Sequence, residues 1–130
     1  MTTVMSREIA ATEITAWLDY KRVKESTRES FKAQIDVLIE AMTYGDITVN
    51  SDSFVITQKL AFPVDTLLDK LEYKPRMTIG DLNKIPSKLG DFDSKVAAYI
   101  AALTGKALSH IQKMDSEDYK IGQAIAVFFI

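Results

Sequence analysis

The chain contains no cysteine and a single histidine, His110. The first absence excludes a disulfide framework, a thiolate nucleophile and any cysteine-ligated zinc or iron–sulfur site. The second excludes histidine clusters for metal binding and a two-histidine relay within one chain. The five glycines, at 45, 80, 90, 105 and 122, form no nucleotide-binding fingerprint and read as turns, caps and one close helix contact. No window is apolar for long enough to cross a bilayer. The start, residues 1–6 leading into Arg7, Glu8 and Glu13, lacks the apolar core of a signal peptide. No extended run carries one sign of charge. With 16 basic against 18 acidic side chains, nothing attracts the chain broadly to nucleic acid or to an anionic membrane.

What is present is the composition of an ordinary folded protein, 47% apolar, in 130 residues. That length fits one domain whose core needs no metal or disulfide staple. An intracellular setting fits it most simply.

Apolar Ile9, Ile14, Trp17 and Leu18 recur at helical spacing after a capping serine, Ser6, and predict a first helix over residues 7–20. Ser26 and Glu29 have capping-box spacing ahead of a second helix that should bury Phe31, Ile35, Leu38, Ile39 and Met42. The β-branched run Ile47-Thr48-Val49 and the run Phe54-Val55-Ile56-Thr57 flank a cluster of asparagine, serine and aspartate, which predicts a hairpin. Phe54, Ile56, Leu60 and Phe62 should share its greasy face. Residues 67–74 fit either a strand or a short helix, and of the two a strand beginning near Leu68 is favoured.

Thr78 and Asp81 repeat the capping-box spacing before Leu82 and Ile85, and residues 86–90 read as the flexible stretch inside the domain. The alanine-rich run from Ser94 predicts a helix ended by a left-handed Gly105. A short helix through Leu108 and Ile111 follows, and Asp115 caps the last helix. The expected architecture is α+β: a small antiparallel hairpin or sheet (46–75) packed against an N-terminal helical segment (6–44) and a C-terminal one (78–130), all one domain over 1–130.

Candidate chemistry is sparse, and no cofactor is expected. Asp115, Glu117 and Asp118 lack the twelve-position loop of an EF-hand and read as helix capping. Asp91 and Asp93 read as complements to a helix dipole rather than a pair of catalytic acids. The basic residues Lys21, Arg22, Lys24, Arg28 and Lys32 are interleaved with Asp19, Glu25 and Glu29, as in a solvated helix junction.

The apolar ends carry more promise. Trp17 and Leu18 suit either the core or a partner face. The terminus Val127-Phe128-Phe129-Ile130 must be buried at home or against a partner. A helix running through it cannot turn Phe128, Phe129 and Ile130 into one narrow stripe. The candidate partner-binding set is therefore Trp17, Leu18, Tyr119, Ile125, Phe128, Phe129 and Ile130.

The order of pieces carries a resemblance. A strand, Phe54-Val55-Ile56-Thr57-Gln58-Lys59-Leu60, precedes Pro63, and Leu71-Glu72-Tyr73-Lys74-Pro75-Arg76-Met77-Thr78-Ile79-Gly80-Asp81-Leu82 follows. Ala101-Ala102-Leu103-Thr104-Gly105 and Met114-Asp115-Ser116-Glu117-Asp118-Tyr119 come next, before Val127-Phe128-Phe129. From residue 47 to 130 this succession resembles the small tail assembly chaperones of long-tailed bacteriophages, the group that includes the Mu-like tail proteins. The chain departs from that pattern in the order Pro75-Arg76 and in Met114, where leucine is usual.

The resemblance implies a non-enzymatic chaperone that binds the long helical tape measure protein, keeps it soluble and helps recruit tail tube subunits. It implies action in the host cytoplasm during assembly, absence from the mature virion, and in some members a frameshifted longer form. Self-association is a further expectation. The alternative is a structural tail component, a completion or baseplate ring subunit. A small enzyme or a nucleic-acid-binding regulator is the remaining class.

Overall fold

The first helix, α1 (Arg7–Tyr20), starts at Ser6, which is extended and whose side-chain oxygen accepts the Ile9 N–H at 3.2 Å. In the computed structural model, which describes residues 2–66, 68–86 and 90–130, α1 buries Ala10, Ile14, Trp17 and Leu18. Ile9, expected on that face, is exposed.

The second expected helix is two: α2 (Glu25–Ser30) and α3 (Lys32–Thr43), broken where Phe31 leaves helical geometry at φ −111°, ψ 30°. The break turns the Phe31 ring toward Phe128, 5.7 Å away between centroids. The Ser26/Glu29 capping box does not form. Ser26 already lies inside α2, where its carbonyl accepts the Ser30 hydroxyl at 3.1 Å. Leu38, Ile39, Ala41 and Met42 carry the buried face of α3, while Phe31 and Ile35 are half-buried.

Strands β1 (Ile47–Val49), β2 (Ile56–Lys59) and β3 (Lys70–Tyr73) form an antiparallel sheet in chain order. The turn between β1 and β2 is organised by Asn50, whose side-chain oxygen accepts the N–H groups of Asp52 and Ser53. Pairing sets Ile47 opposite Gln58, Val49 opposite Ile56, Ile56 opposite Tyr73 and Gln58 opposite Leu71. Because side chains alternate across a strand, these residues share the inward face, and Thr48, Lys59, Lys70 and Glu72 point to solvent.

Two sequence expectations are corrected here. Phe54 adopts a left-handed backbone at φ 59° and stacks on Tyr20, and Phe62 lies beyond β2 and is exposed. Neither extends the strand's greasy face. The position between Ile56 and Leu60 on that face is Gln58, fully buried. The last strand begins at Lys70 rather than Leu68, whose N–H is taken by the Asp65 side chain at 2.8 Å instead of by a neighbouring strand. Leu67 lies outside the described residues, as do residues 87–89 of the stretch expected to be flexible.

Helix α4 (Ile79–Asn83) carries the complete Thr78/Asp81 capping box. Helix α5 (Phe92–Thr104) is capped by Asp91 and closed by Gly105 at φ 69°. Helix α6 (Leu108–Ile111) is one turn, and α7 (Ser116–Ala126) begins at the Asp115 cap.

The chain is thus an α+β protein, its sheet packed against N-terminal and C-terminal helices. Helix α1 packs on α3, α3 on α7 and α7 on α5; β1 rests on α1 and α3, and β3 on α5. One hydrophobic cluster runs from Ala10 to Ala126 and draws on helices and sheet alike. Helix α7, at its centre, is tied to the sheet by polar bonds. Gln58 Nε2 donates to the Asp118 carbonyl at 2.9 Å, and the Tyr73 hydroxyl donates to Gln58 Oε1 at 2.6 Å. The Asp118 carboxylate accepts the Ala61 and Phe62 N–H groups, each at 2.9 Å.

Candidate partner-binding surface

The aromatic end comes first. Trp17 and Leu18 are 1% exposed and Ile125 is fully enclosed, so none offers surface to a partner in this fold. Helix α7 stops at Ala126 and residues 127–129 turn, which removes the fan of side chains that a longer helix would spread. Phe128 meets Trp17 edge-to-face at 5.8 Å, and Phe129 lies 6.3 Å from the same ring. Lys21 Nζ sits 3.3 Å from the Phe129 ring centre. Tyr119 is half-buried and donates to the Asp93 carbonyl at 3.1 Å. Burial, then the nearby Asp93 and Asp91 charges, raise its phenol above the usual range. The structure therefore brings Trp17, Phe128 and Phe129 together, but as a home-packed cluster. Of the seven residues, Ile130 is the one counted as exposed.

A more open surface lies between α4 and α5. Helix α4 is only five residues long, and its position depends on Asp81. That carboxylate accepts the Thr78 N–H at 3.0 Å and Lys74 Nζ at 2.9 Å. The Thr78 backbone bond first, and the Lys74 bond next, hold Asp81 at about 2. Lys74 in turn donates its backbone N–H to the Leu103 carbonyl, which fixes the end of β3 against α5.

Helix α5 forms the floor. Its inner stripe, Val96, Ala97, Ile100 and Leu103, is buried in the core. On the outer side, Lys95, Tyr99 and Ala102 follow one another at helical spacing, with Ala101 beside them, the buried Ala98 beneath and Lys106 just past the Gly105 cap. Two adjoining hollows open over this stripe and share Lys84 and Pro86. The larger, about 680 Å³, is walled by Leu82, Asn83 and Ile85 and reaches Lys95 and Tyr99. The smaller, about 380 Å³, runs over Ala98, Ala101 and Ala102 to Lys106 and Leu108, with Lys74 beside it.

The charge of the groove is one-sided. Lys74, Lys84, Lys95 and Lys106 line it, and among the described residues no carboxylate does. Lys74 is paired with Asp81; Lys84, Lys95 and Lys106 make no ion pair with a described residue. Apolar side chains are exposed on the same two helices: Ile79, Leu82 and Phe92. These lysines are scattered along the chain, from 74 to 106, and form no charge run in the sequence.

Opposite charge collects elsewhere. Glu40, Asp46, Glu117 and Asp118 line a hollow of about 640 Å³ beside α3 and α7, with Lys120 at its rim. Burial, then the Asp118 charge, raises the Asp46 carboxyl. The two Asp118 oxygens are already taken by backbone N–H groups. Among the described residues no group of three His, Cys, Asp or Glu side chains is placed to hold a metal ion, and no helix is long and apolar enough to cross a membrane. His110 is half-buried in α6.

No family model, curated protein or solved structure matches the chain.

Proposed function

We propose that this protein is a non-enzymatic tail assembly chaperone of a long-tailed bacteriophage, acting in the host cytoplasm and absent from the finished particle. It binds the tape measure protein, keeps that long helical chain soluble and helps bring tail tube subunits to it. The order of sequence elements from residue 47 to 130 suggests the family, and the α4–α5 groove is the observation that carries the reading. An open channel with a small-residue floor and the exposed Leu82 on its wall suits a helix laid into it. A long amphipathic helix without such cover exposes its apolar face and aggregates.

The test is co-expression with the long helical protein encoded beside it, followed by copurification and light scattering. A soluble complex containing an otherwise insoluble partner is the expected result. No complex, together with a discrete homo-oligomer and recovery of the protein from purified virions, would overturn the chaperone in favour of a structural ring subunit.

A further inference from the structure

We infer that the α4–α5 groove takes an amphipathic α-helix of between two and three turns, whose apolar face is flanked by glutamate or aspartate. This rests on the chaperone reading and specifies which part of a long helical partner is held.

A helix is the guest that the walls demand. Helix α5 floors the groove and α4 with the residues after it walls it, and the helical backbone groups are bonded internally. An extended peptide would find no strand edge there to pair with, so its own N–H and C=O groups would be desolvated without partners. A helix arrives with its backbone already satisfied. The floor agrees, because Ala98, Ala101 and Ala102 stand low enough to admit large apolar side chains from a closely packed helix.

Length and charge narrow the guest further. From Lys95 to the end of α5 at Thr104 is nine positions, so at about 1.5 Å per residue the helical floor is roughly 14 Å long, two and a half turns, with Lys106 just past the Gly105 cap. Lys84, Lys95 and Lys106 stand along it without ion partners among the described residues. A basic helix would meet like charge, and a neutral one would leave the ammonium groups partly desolvated with nothing gained. Acidic flanks satisfy them, while the lysine stems lie over the apolar seam.

The probes are two labelled peptides of about 14 residues with one leucine–alanine face, one flanked by glutamates and the other by lysines. The protein is the full chain and its triple variant Lys84→Glu/Lys95→Glu/Lys106→Glu, whose changes fall on exposed side chains and whose fold is checked by circular dichroism. The full chain should bind the acidic peptide about tenfold more tightly than the basic one at low salt, with the difference shrinking as salt rises. The triple variant should reverse the preference. Equal binding of both peptides, no binding of the acidic one, or an unchanged preference in the variant overturns the inference. Copurification with the tape measure protein separates the two levels. A complex that forms equally with the full chain and the variant removes the groove and leaves the chaperone; loss of the complex with both removes the chaperone, and the peptides still decide the groove.

Discussion

Gly122 of α7 lies so close to Tyr73 of β3 that a Cβ added to it would stand 3.0 Å from the Tyr73 hydroxyl oxygen and 2.9 Å from Ile100 Cδ1. Neither neighbour is free to retreat. Ile100 is fully buried, and the hydroxyl is held by Gln58 at 2.6 Å. The missing side chain is what lets α7 settle between α5 and the sheet. Gly122→Ala gains helix propensity of about 1 kcal/mol but overpacks by roughly 1–3 kcal/mol, so a net loss of about 1 kcal/mol is expected. Thermal unfolding reads it as a drop of a few degrees. Gly80→Ala, on exposed α4, would meet only Thr78 Oγ1 at an ordinary 3.5 Å and should leave stability unchanged or slightly raised. Equal melting temperatures for wild type and Gly122→Ala would mean that the interior yields.

Tyr73 also belongs to a buried chain of bonds through Gln58 to the Asp118 carbonyl. Tyr73→Phe removes one hydroxyl and strands the buried Gln58 oxygen, so it should cost about 1–3 kcal/mol in urea unfolding. Gln58→Leu strands the hydroxyl instead. With both changed, no side-chain polar atom of the pair remains, and the Asp118 carbonyl keeps its helical donor. The double variant should therefore lose less than the sum of the singles, by about 1 kcal/mol. Strict additivity would show that the two side chains do not act together.

Phe128 bears on Trp17 and Phe31 at once. Phe128→Ala is therefore a stability variant, expected to cost about 2–3 kcal/mol, below the range for a fully buried ring because this one is half-buried. Phe128→Asp should cost more and show first as loss of the folded far-UV signal. A Phe128→Asp chain that keeps its unfolding midpoint but loses partner binding would return this end to the partner surface.

The parts of this fold that were legible in the sequence are those decided within one or two turns of chain. Ser6, Thr78 and Asp115 cap the helices they precede, and Gly105 takes the left-handed conformation that ends α5. The hairpin around Asn50 is equally local. What was not legible depends on neighbours distant in sequence. Phe31 breaks a helix where its ring finds Phe128, and Gln58 occupies an apolar face because Tyr73 and Asp118 meet it there. The turn at residues 127–129 reclaims two phenylalanines that a continuing helix would have exposed. The lysine-lined groove is of the same kind. Lys84 caps the end of α4, Lys95 lies in the first turn of α5 and Lys106 follows its Gly105 cap, so their common charge exists only once those helices are side by side.

Lys21 gives the fold a pH dependence that can be isolated. Its ammonium group lies against the Phe129 ring and reaches the Pro75 carbonyl at 3.5 Å. Burial first, and then the Arg76 charge, lowers it from 10.5 to about 8. Below pH 8 the ammonium is charged whether the chain is folded or not, and the native state carries the full cost of holding it. Between about 8 and 10.5 the unfolded chain binds more protons than the native one, so stability rises with pH through that window and levels off above it. Tyr73 acts in the opposite sense. Burial, with the Asp118 charge second, raises its phenol far above 10, so stability present below that pH is lost as the unfolded chain ionises above it. Urea unfolding at stepped pH should therefore show wild-type stability climbing from 8 toward 10 and then falling. Lys21→Met should abolish the climb and keep the fall. Parallel curves for the two proteins between pH 8 and 10 would mean that Lys21 reaches solvent and feels neither the ring nor Arg76.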